Sequence, residues 1–255
     1  MAKRIIVPLD RSDVAERALP VARGLVKQLG LPVTLVSVVE GPPSLAAYVP
    51  GGDQPPARQI NSSDVPQHPY GSWDGQTSNR PSDAEIQRTT TEAEAAEAYL
   101  NRIAETFENV PVEVTLRFGQ PAERILQTAE DRPGSFIVIA SHGRSGLPRA
   151  MIGRVASHVI RGATNPVFAI RATVQNRFAR APVMFNKALV ALDTSAFSEQ
   201  SLPVLQNIFG PDNLEIHLLN VITEPLTGPR RENESYLKWI SEKLQTDNNE
   251  VTWET

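Results

Sequence analysis

Eighteen residues near the start of this chain return, in altered form, near its end. RIIVPLDRSDVAERALPV begins at Arg4 and KALVALDTSAFSEQSLPV at Lys187, an ungapped offset of 187 − 4 = 183. The alignment pairs Val7 with Val190, Asp10 with Asp193, Ser12 with Ser195, Glu16 with Glu199, and Leu19-Pro20-Val21 with Leu202-Pro203-Val204. The same offset places Val38 on Val221. Further on, AYLNRI from Ala98 matches SYLKWI from Ser235, and Glu113-Val114-Thr115 matches Glu250-Val251-Thr252, at an offset of 235 − 98 = 137. A repeat of this kind means two structural units of one architecture, with a long insertion in the first. The second unit stops just into its third strand, so its architecture is partial. Either it packs on the first unit or on a partner, or the chain is a fragment.

The insertion spans residues 41–83 and holds eight of the 21 prolines, with many Ser, Asn and Gln. It has neither helical nor strand periodicity, and it buries too little apolar surface to offset its ordering entropy. It is expected to be a long loop inside the first domain. The domains are then 1–172, a polar linker 173–186, and a partial second domain 187–255.

Within the first unit, short apolar runs alternate with helical patterns. Ile5-Ile6-Val7 predicts a buried strand. Ser12 or Asp13 caps a helix whose apolar face runs from Ala15 to Leu29, and Gly30 ends it. Val33 to Val39 predicts a second strand, and 84–107 a long helix burying Ala93, Ala96, Leu100, Ile103 and Phe107. Val112 to Phe118 predicts a third strand, followed by a helix around Ala122 to Ala129. Phe136 to Ile139 is the most apolar strand and is placed centrally, followed by a helix at Met151 to Ile160 and a strand at Val167 to Ile170. Strict alternation predicts a Rossmann-like, flavodoxin-like α/β fold: five parallel strands with helices on both faces, plus the partial second copy. In such sheets ligands bind beyond the carboxyl ends of the strands. Attention therefore falls on Leu9-Asp10-Arg11-Ser12 and on Ala140-Ser141-His142-Gly143.

Composition narrows the function. A net charge of −4 gives no basic face for nucleic acid. The absence of cysteine excludes disulfides, thiolate zinc sites and a thiol nucleophile. The N-terminus lacks the apolar core of a signal peptide, and no run is long enough to span a membrane. The expected location is the cytoplasm. The four histidines show no metal-ligand spacing. There is no GxxxxGK[ST], GxGxxG or GxSxG motif, and no acid, base and nucleophile converge, so an enzyme is not expected. The run ASHGRSGLPRAMIGRVASHVI is different. Gly143 and Gly146 allow a tight turn after the central strand, and Gly153 precedes a helix. Backbone N–H groups in that arrangement form an anion cradle, and Arg144 and Arg154 add charge-assisted bonds to phosphate. A plain strand-to-helix loop would use the same glycines.

VPLDRSDVAERAL, ASHGRSG and NPVFAIR together resemble the universal stress protein family over about residues 1–172. The ATP-binding branch of that family carries Gly, two residues, Gly, nine residues, Gly, then Ser or Thr. This chain has Ala140, Gly143 and Gly153 at those spacings and Arg154 in place of the hydroxyl residue. The resemblance implies ATP as ligand, with or without magnesium, and a stress-response regulatory role. It implies that Pro8 and Asp10 lie beside adenine or ribose and that Val38 touches the base. Ala140, Ser141, His142, Gly143, Arg144, Ser145 and Gly146 would hold ribose and phosphates, and Gly153, Arg154, Val155 and Ala156 would complete the phosphate cradle. An alternative is an interaction protein of the same fold without a nucleotide. The resemblance also implies a homodimer through the fifth strand, from Pro166 to Arg171. Asp10 has a second reading as a local helix cap, since Asp193 repeats it where no phosphate loop follows.

Overall fold

In the computed structural model, residues 4–40, 82–141, 152–171, 182–210, 214–221, 230–246 and 249–255 are described. The first unit is a five-stranded parallel sheet in the order β3-β2-β1-β4-β5. Its strands are β1 (Arg4–Pro8), β2 (Val33–Val39), β3 (Val112–Phe118), β4 (Ser135–Ala140) and β5 (Val167–Ile170). Helices α1 (Leu19–Leu29), α2 (Asp83–Ala104), α3 (Pro121–Glu130) and α4 (Arg154–Gly162) connect them. β1 and β4 are apolar on both sides because helices cover both faces. One core gathers Ile5, Val7, Leu25, Leu35, Leu100, Phe136 and Val138 beneath α1 and α2. The other gathers Ile6, Val36, Ile137 and Ile139 beneath α3 and α4. The expected fold class is the one observed, with a partial second sheet.

Several element ends differ from expectation by a turn. Neither Ser12 nor Asp13 caps α1: a 3-10 turn, Ala15–Ala18, with Val14 at its N-cap precedes the helix, and the Ser12 hydroxyl accepts from the Ala15 N–H at 3.1 Å. Gly30 ends α1 at φ 64, a left-handed conformation that costs a side chain more. α2 begins at Asp83 because Ser82 and Glu85 form a reciprocal capping box. Those carboxylate bonds to the Ser82 hydroxyl and backbone N–H hold Glu85 below the usual carboxylate range. α2 stops at Ala104, and Phe107 is buried from the turn that follows.

The second unit has three parallel strands in the order β6-β7-β8: β6 (Lys187–Ala191), β7 (Glu215–Leu219) and β8 (Val251–Glu254). Helices α5 (Ala196–Glu199), α6 (Ser201–Phe209) and α7 (Arg230–Leu244) accompany them. Tyr236 donates to Glu199 at 3.1 Å, as Tyr99 donates to Glu16 at 3.1 Å. The helices thus keep the 137 offset. β8 does not: Val33 pairs with Val112, whereas Ile216 pairs with Val251. That register gives an offset of 251 − 112 = 139, two residues beyond the sequence match. Strand pairing follows the inward apolar positions, and a shift of two preserves which side chains face the core.

The expected linker divides in two. Residues 172–181 lie outside the described residues, while 182–186 run along α1. Val183 N–H donates to the Pro20 carbonyl at 2.9 Å, and Gln28 donates to the Phe185 carbonyl at 3.2 Å. Phe185 and Phe209 then stack with Phe168, at centroid distances of 6.1 and 6.3 Å. The two units meet through this aromatic cluster. Most of the expected loop, residues 41–81, also lies outside the described residues.

At the amino end of the first sheet Glu113 gathers Arg4 and Arg132. Burial opposes its ionisation, but the Arg132 hydrogen bond and charge, then the Arg4 charge, hold its carboxyl below the usual carboxylate range. A depressed carboxylate stabilises above its unfolded pKa and loses that contribution as pH falls through the folded value. The carboxyl is more than a third exposed, so screening limits the effect. Glu113→Gln is expected to destabilise by about 1 kcal/mol at pH 7, with the difference vanishing in acid. Urea titrations at pH 7 and pH 3 check this; an equal loss at both would show that shape, not charge, matters.

Candidate functional site

The strand order turns at β1. β2 and β3 extend to one side, β4 and β5 to the other. Beyond the carboxyl ends at this switch point the chain leaves each strand in a different direction and opens a crevice. Its volume is roughly 790 Å3. The floor comes from strand ends, including Pro8, Val36, Val38 and Ala140. One wall is the loop at Asp10, Arg11 and Ser12; another is the start of α4, from Gly153 to Ala156. A third wall is the first three turns of α2, with Glu85, Arg88, Thr89 and Glu92.

The expected residues divide three ways. Pro8, Asp10, Val38, Ala140, Gly153, Arg154, Val155 and Ala156 line the cleft. Ser141 is buried beneath it: its N–H donates to the Ile170 carbonyl at 2.8 Å, and its carbonyl accepts from Gly153 N–H at 2.5 Å. That second bond ties the end of β4 to the N-cap of α4, which places the helix start over the strand ends. His142, Gly143, Arg144, Ser145 and Gly146 lie outside the described residues.

The start of α4 has the chemistry of an anion site. Gly153 is its N-cap, no side chain caps it, and no acidic residue lies in its first turn. The first N–H groups of a helix have no intrahelical acceptor, and the helix dipole adds partial positive charge there. Arg154 places a guanidinium at the same end. Ala140 is 8% exposed, so its methyl is nearly covered and takes little space from the cleft.

Asp10 has a local job as well. Its Oδ1 accepts from Ser12 N–H at 3.0 Å and from the Ser12 hydroxyl at 2.5 Å, and Arg11 between them adopts φ 64. Asp193 does the same with Ser195, at 3.0 and 2.5 Å, with Thr194 at φ 67. This Asx turn shapes the chain leaving a strand and needs no ligand. The Ser195 and Ser198 hydroxyls and the Ser195 N–H bring Asp193 down to about 2.

The α2 wall was not anticipated from sequence. Arg88, Thr89 and Glu92 sit at i, i+1 and i+4, a spacing that puts them on one side of a helix. Arg11 reaches across to Glu92 at 4.0 Å. The signal was present, but polar residues in a glutamate-rich helix read as a solvated face. Among the described residues no cluster of His, Asp and Glu could hold a metal ion, and no helix is long and apolar enough to cross a membrane.

Comparison with known proteins agrees with this arrangement. The model of the universal stress protein family matches residues 1–171. Two universal stress proteins of Methanocaldococcus jannaschii are similar. One is 27% identical over 66% of this chain and 82% of its own length, the other 25% identical over 67% and 96%. A solved structure of a universal stress protein from Archaeoglobus fulgidus is 18% identical, with a TM-score of 0.59, across 99% of this chain and 79% of its own. That likeness is one of fold, and it extends over the second sheet. With the family match spanning all five strands of the first sheet, the chain belongs to the universal stress protein family.

Proposed function

We propose that the cleft binds an adenine nucleotide, and that the chain is a stress-response regulatory module whose nucleotide occupancy alters its partners. One observation carries this reading. The uncapped start of α4, with Arg154, opens into the same crevice as Pro8, Asp10, Val38 and Ala140. An apolar floor for a base and an electropositive helix end for phosphate are the two halves of a nucleotide site. The volume lies within the range of small-molecule sites, roughly 300–1,000 Å3. ATP, with or without magnesium, is the expected ligand, and the cytoplasm the expected location. A homodimer through β5 is part of the same reading. β5 stands at the sheet edge with no strand beyond it among the described residues, and edge strands invite pairing.

Arg154→Glu tests the site without disturbing the core, since Arg154 is exposed. It replaces a phosphate-facing cation with an anion at a helix N-terminus. Titration calorimetry is expected to show ATP affinity reduced about 30-fold, roughly 2 kcal/mol, with AMP affected less. An unchanged ATP affinity would remove Arg154 and α4 from the site. A second reading, an interaction protein with no nucleotide, is favoured by the Asx turn that recurs at Asp193, in a unit whose described residues hold no counterpart of α4. It follows if ATP, ADP and AMP all fail to bind the native chain.

A further inference from the structure

α2 carries three consecutive threonines whose hydroxyls end differently. Thr90 donates to the Ile86 carbonyl at 2.8 Å, and Thr91 to the Gln87 carbonyl at 3.0 Å. Each is the bond one turn back that a threonine inside a helix commonly makes. Thr89 makes no such bond to Glu85, and its hydroxyl has no hydrogen-bond partner among the described residues. It is nevertheless the most buried of the three, 7% exposed, and it lines the cleft. Buried hydroxyls in folded proteins are satisfied as a rule. One that faces a cleft without a partner is a group for a ligand to satisfy.

Helix spacing explains why Thr89 faces inward. Thr89, Ala93 and Ala96 stand at i, i+4 and i+7, all buried, on the face that α2 turns to the sheet. Ala93 packs with Val39 and Phe118 at the carboxyl ends of β2 and β3. Thr89 lies one turn nearer the start of α2, beyond those strand ends, where it meets the cleft beside Val38 and Val39.

The two ends of the cleft differ in charge. At the α4 end stand Arg154 and an uncapped helix N-terminus with no acid in its first turn. At the α2 end the described residues bring Asp10, Glu40, Glu85 and Glu92 against Arg11 and Arg88, and Arg11 lies 4.0 Å from Glu92. The acid excess there disfavours phosphate and suits a neutral hydrogen-bond donor. With its phosphates at α4, an adenine nucleotide presents the far edge of its base to α2, and that edge carries the 6-amino donor.

On the nucleotide reading above, we infer that Thr89 is a specificity-determining residue whose Oγ1 accepts a hydrogen bond from the 6-amino group of the base. Thr89→Val keeps the shape of the side chain and removes the hydroxyl, whereas Thr89→Ser keeps the hydroxyl. Titration calorimetry on the full chain uses ATP and purine riboside 5′-triphosphate, which is ATP without the 6-amino group. The native chain is expected to bind ATP about tenfold more tightly than the analogue, the weight of one hydrogen bond. Thr89→Val abolishes that preference by weakening ATP alone, and Thr89→Ser retains it. Equal weakening of both ligands, or ATP binding indifferent to Thr89→Val, would overturn the inference and leave the nucleotide reading in place. Failure of the native chain to bind ATP would remove both. The ligand-free protein gives a second, independent measurement. Thr89→Val is expected to melt no lower than the native chain, because no bond within the fold is lost. A clearly lower melting temperature would show that the hydroxyl is already engaged inside the protein, and would overturn the inference without any nucleotide.

Discussion

Gly24→Val is expected to separate the two units. Gly24 lies within α1, and a Cβ there would stand 1.7 Å from the Val183 carbonyl oxygen and 2.5 Å from its carbon. Those are backbone atoms, which cannot swing aside as a long side chain can. Residues 182–186 must lift from α1, releasing the Val183 bond to Pro20 and the Phe185 contact with Phe168. Overpacking of this kind costs about 3 kcal/mol when relief requires backbone displacement. For a chain of this size that corresponds to a melting shift of about 6–12 °C. Trp239 and Trp253 lie in the second unit and, with Trp73 of the first unit replaced by Phe in both proteins, report on it by fluorescence, while circular dichroism follows the whole chain. The native chain is expected to give coincident urea transitions by both probes, and Gly24→Val a fluorescence transition at lower urea. Coincident transitions in the variant would mean that α1 and the 182–186 segment do not hold the units together.

The close approach at Gly24 illustrates where sequence reading stops. Gly30 announces itself because it ends an apolar stripe, and the stripe is local information. Gly24 sits mid-helix, and its reason is a carbonyl 159 residues away in sequence (183 − 24). The same division runs through the site. Alternating apolar runs place Pro8, Val38 and Ala140 at strand ends, and parallel crossovers then bring those ends together at the switch point. Nothing local says that Arg88 and Glu92 close a third wall, because α2 reaches the cleft only after a long excursion from β2. The β8 register shows a subtler limit. Matching Glu-Val-Thr to Glu-Val-Thr is the better sequence alignment, but pairing follows inward apolar positions, and Val251 takes the place opposite Ile216. A local role for Asp10 was legible in the sequence, since Asp193 repeats it, and the structure gives it as a turn closed on Ser12. What the second copy adds is a comparison inside one chain: geometry shared by both units belongs to the fold, and the cleft belongs to the first.

Substitution of Phe168 is expected to cost far more than an exposed edge position should. Within β5 its ring lies 5.3 Å from Phe136, 6.1 Å from Phe185 and 6.3 Å from Phe209. Phe168→Lys would place an ammonium group among three rings, one of them fully buried. Losing the ring from this partly buried site and desolvating a charge there together cost about 3–5 kcal/mol. Any loss of dimer in that variant would follow from damage to the core and to the contact between units, not from the edge. A cleaner probe is Ala169. The N–H of Ile137 donates to the Pro166 carbonyl, and that of Ser141 to the Ile170 carbonyl. Parallel alternation therefore turns the backbone groups of Pro166, Phe168 and Ile170 toward β4, and those of Val167 and Ala169 outward. Ala169→Pro removes an outward donor while sparing every inward one, and proline is tolerated on sheet edges in that orientation. If β5 pairs with its counterpart in a second molecule, light scattering at micromolar concentration is expected to show a dimer for the native chain and a monomer for Ala169→Pro. Melting at low protein concentration should differ between the two by no more than a few degrees, about 1 kcal/mol. Phe168→Lys should instead lower the melting temperature by about 10 °C at every concentration. A native chain that is monomeric, or an Ala169→Pro variant that dimerises as well as the native, would show that this edge is not the contact.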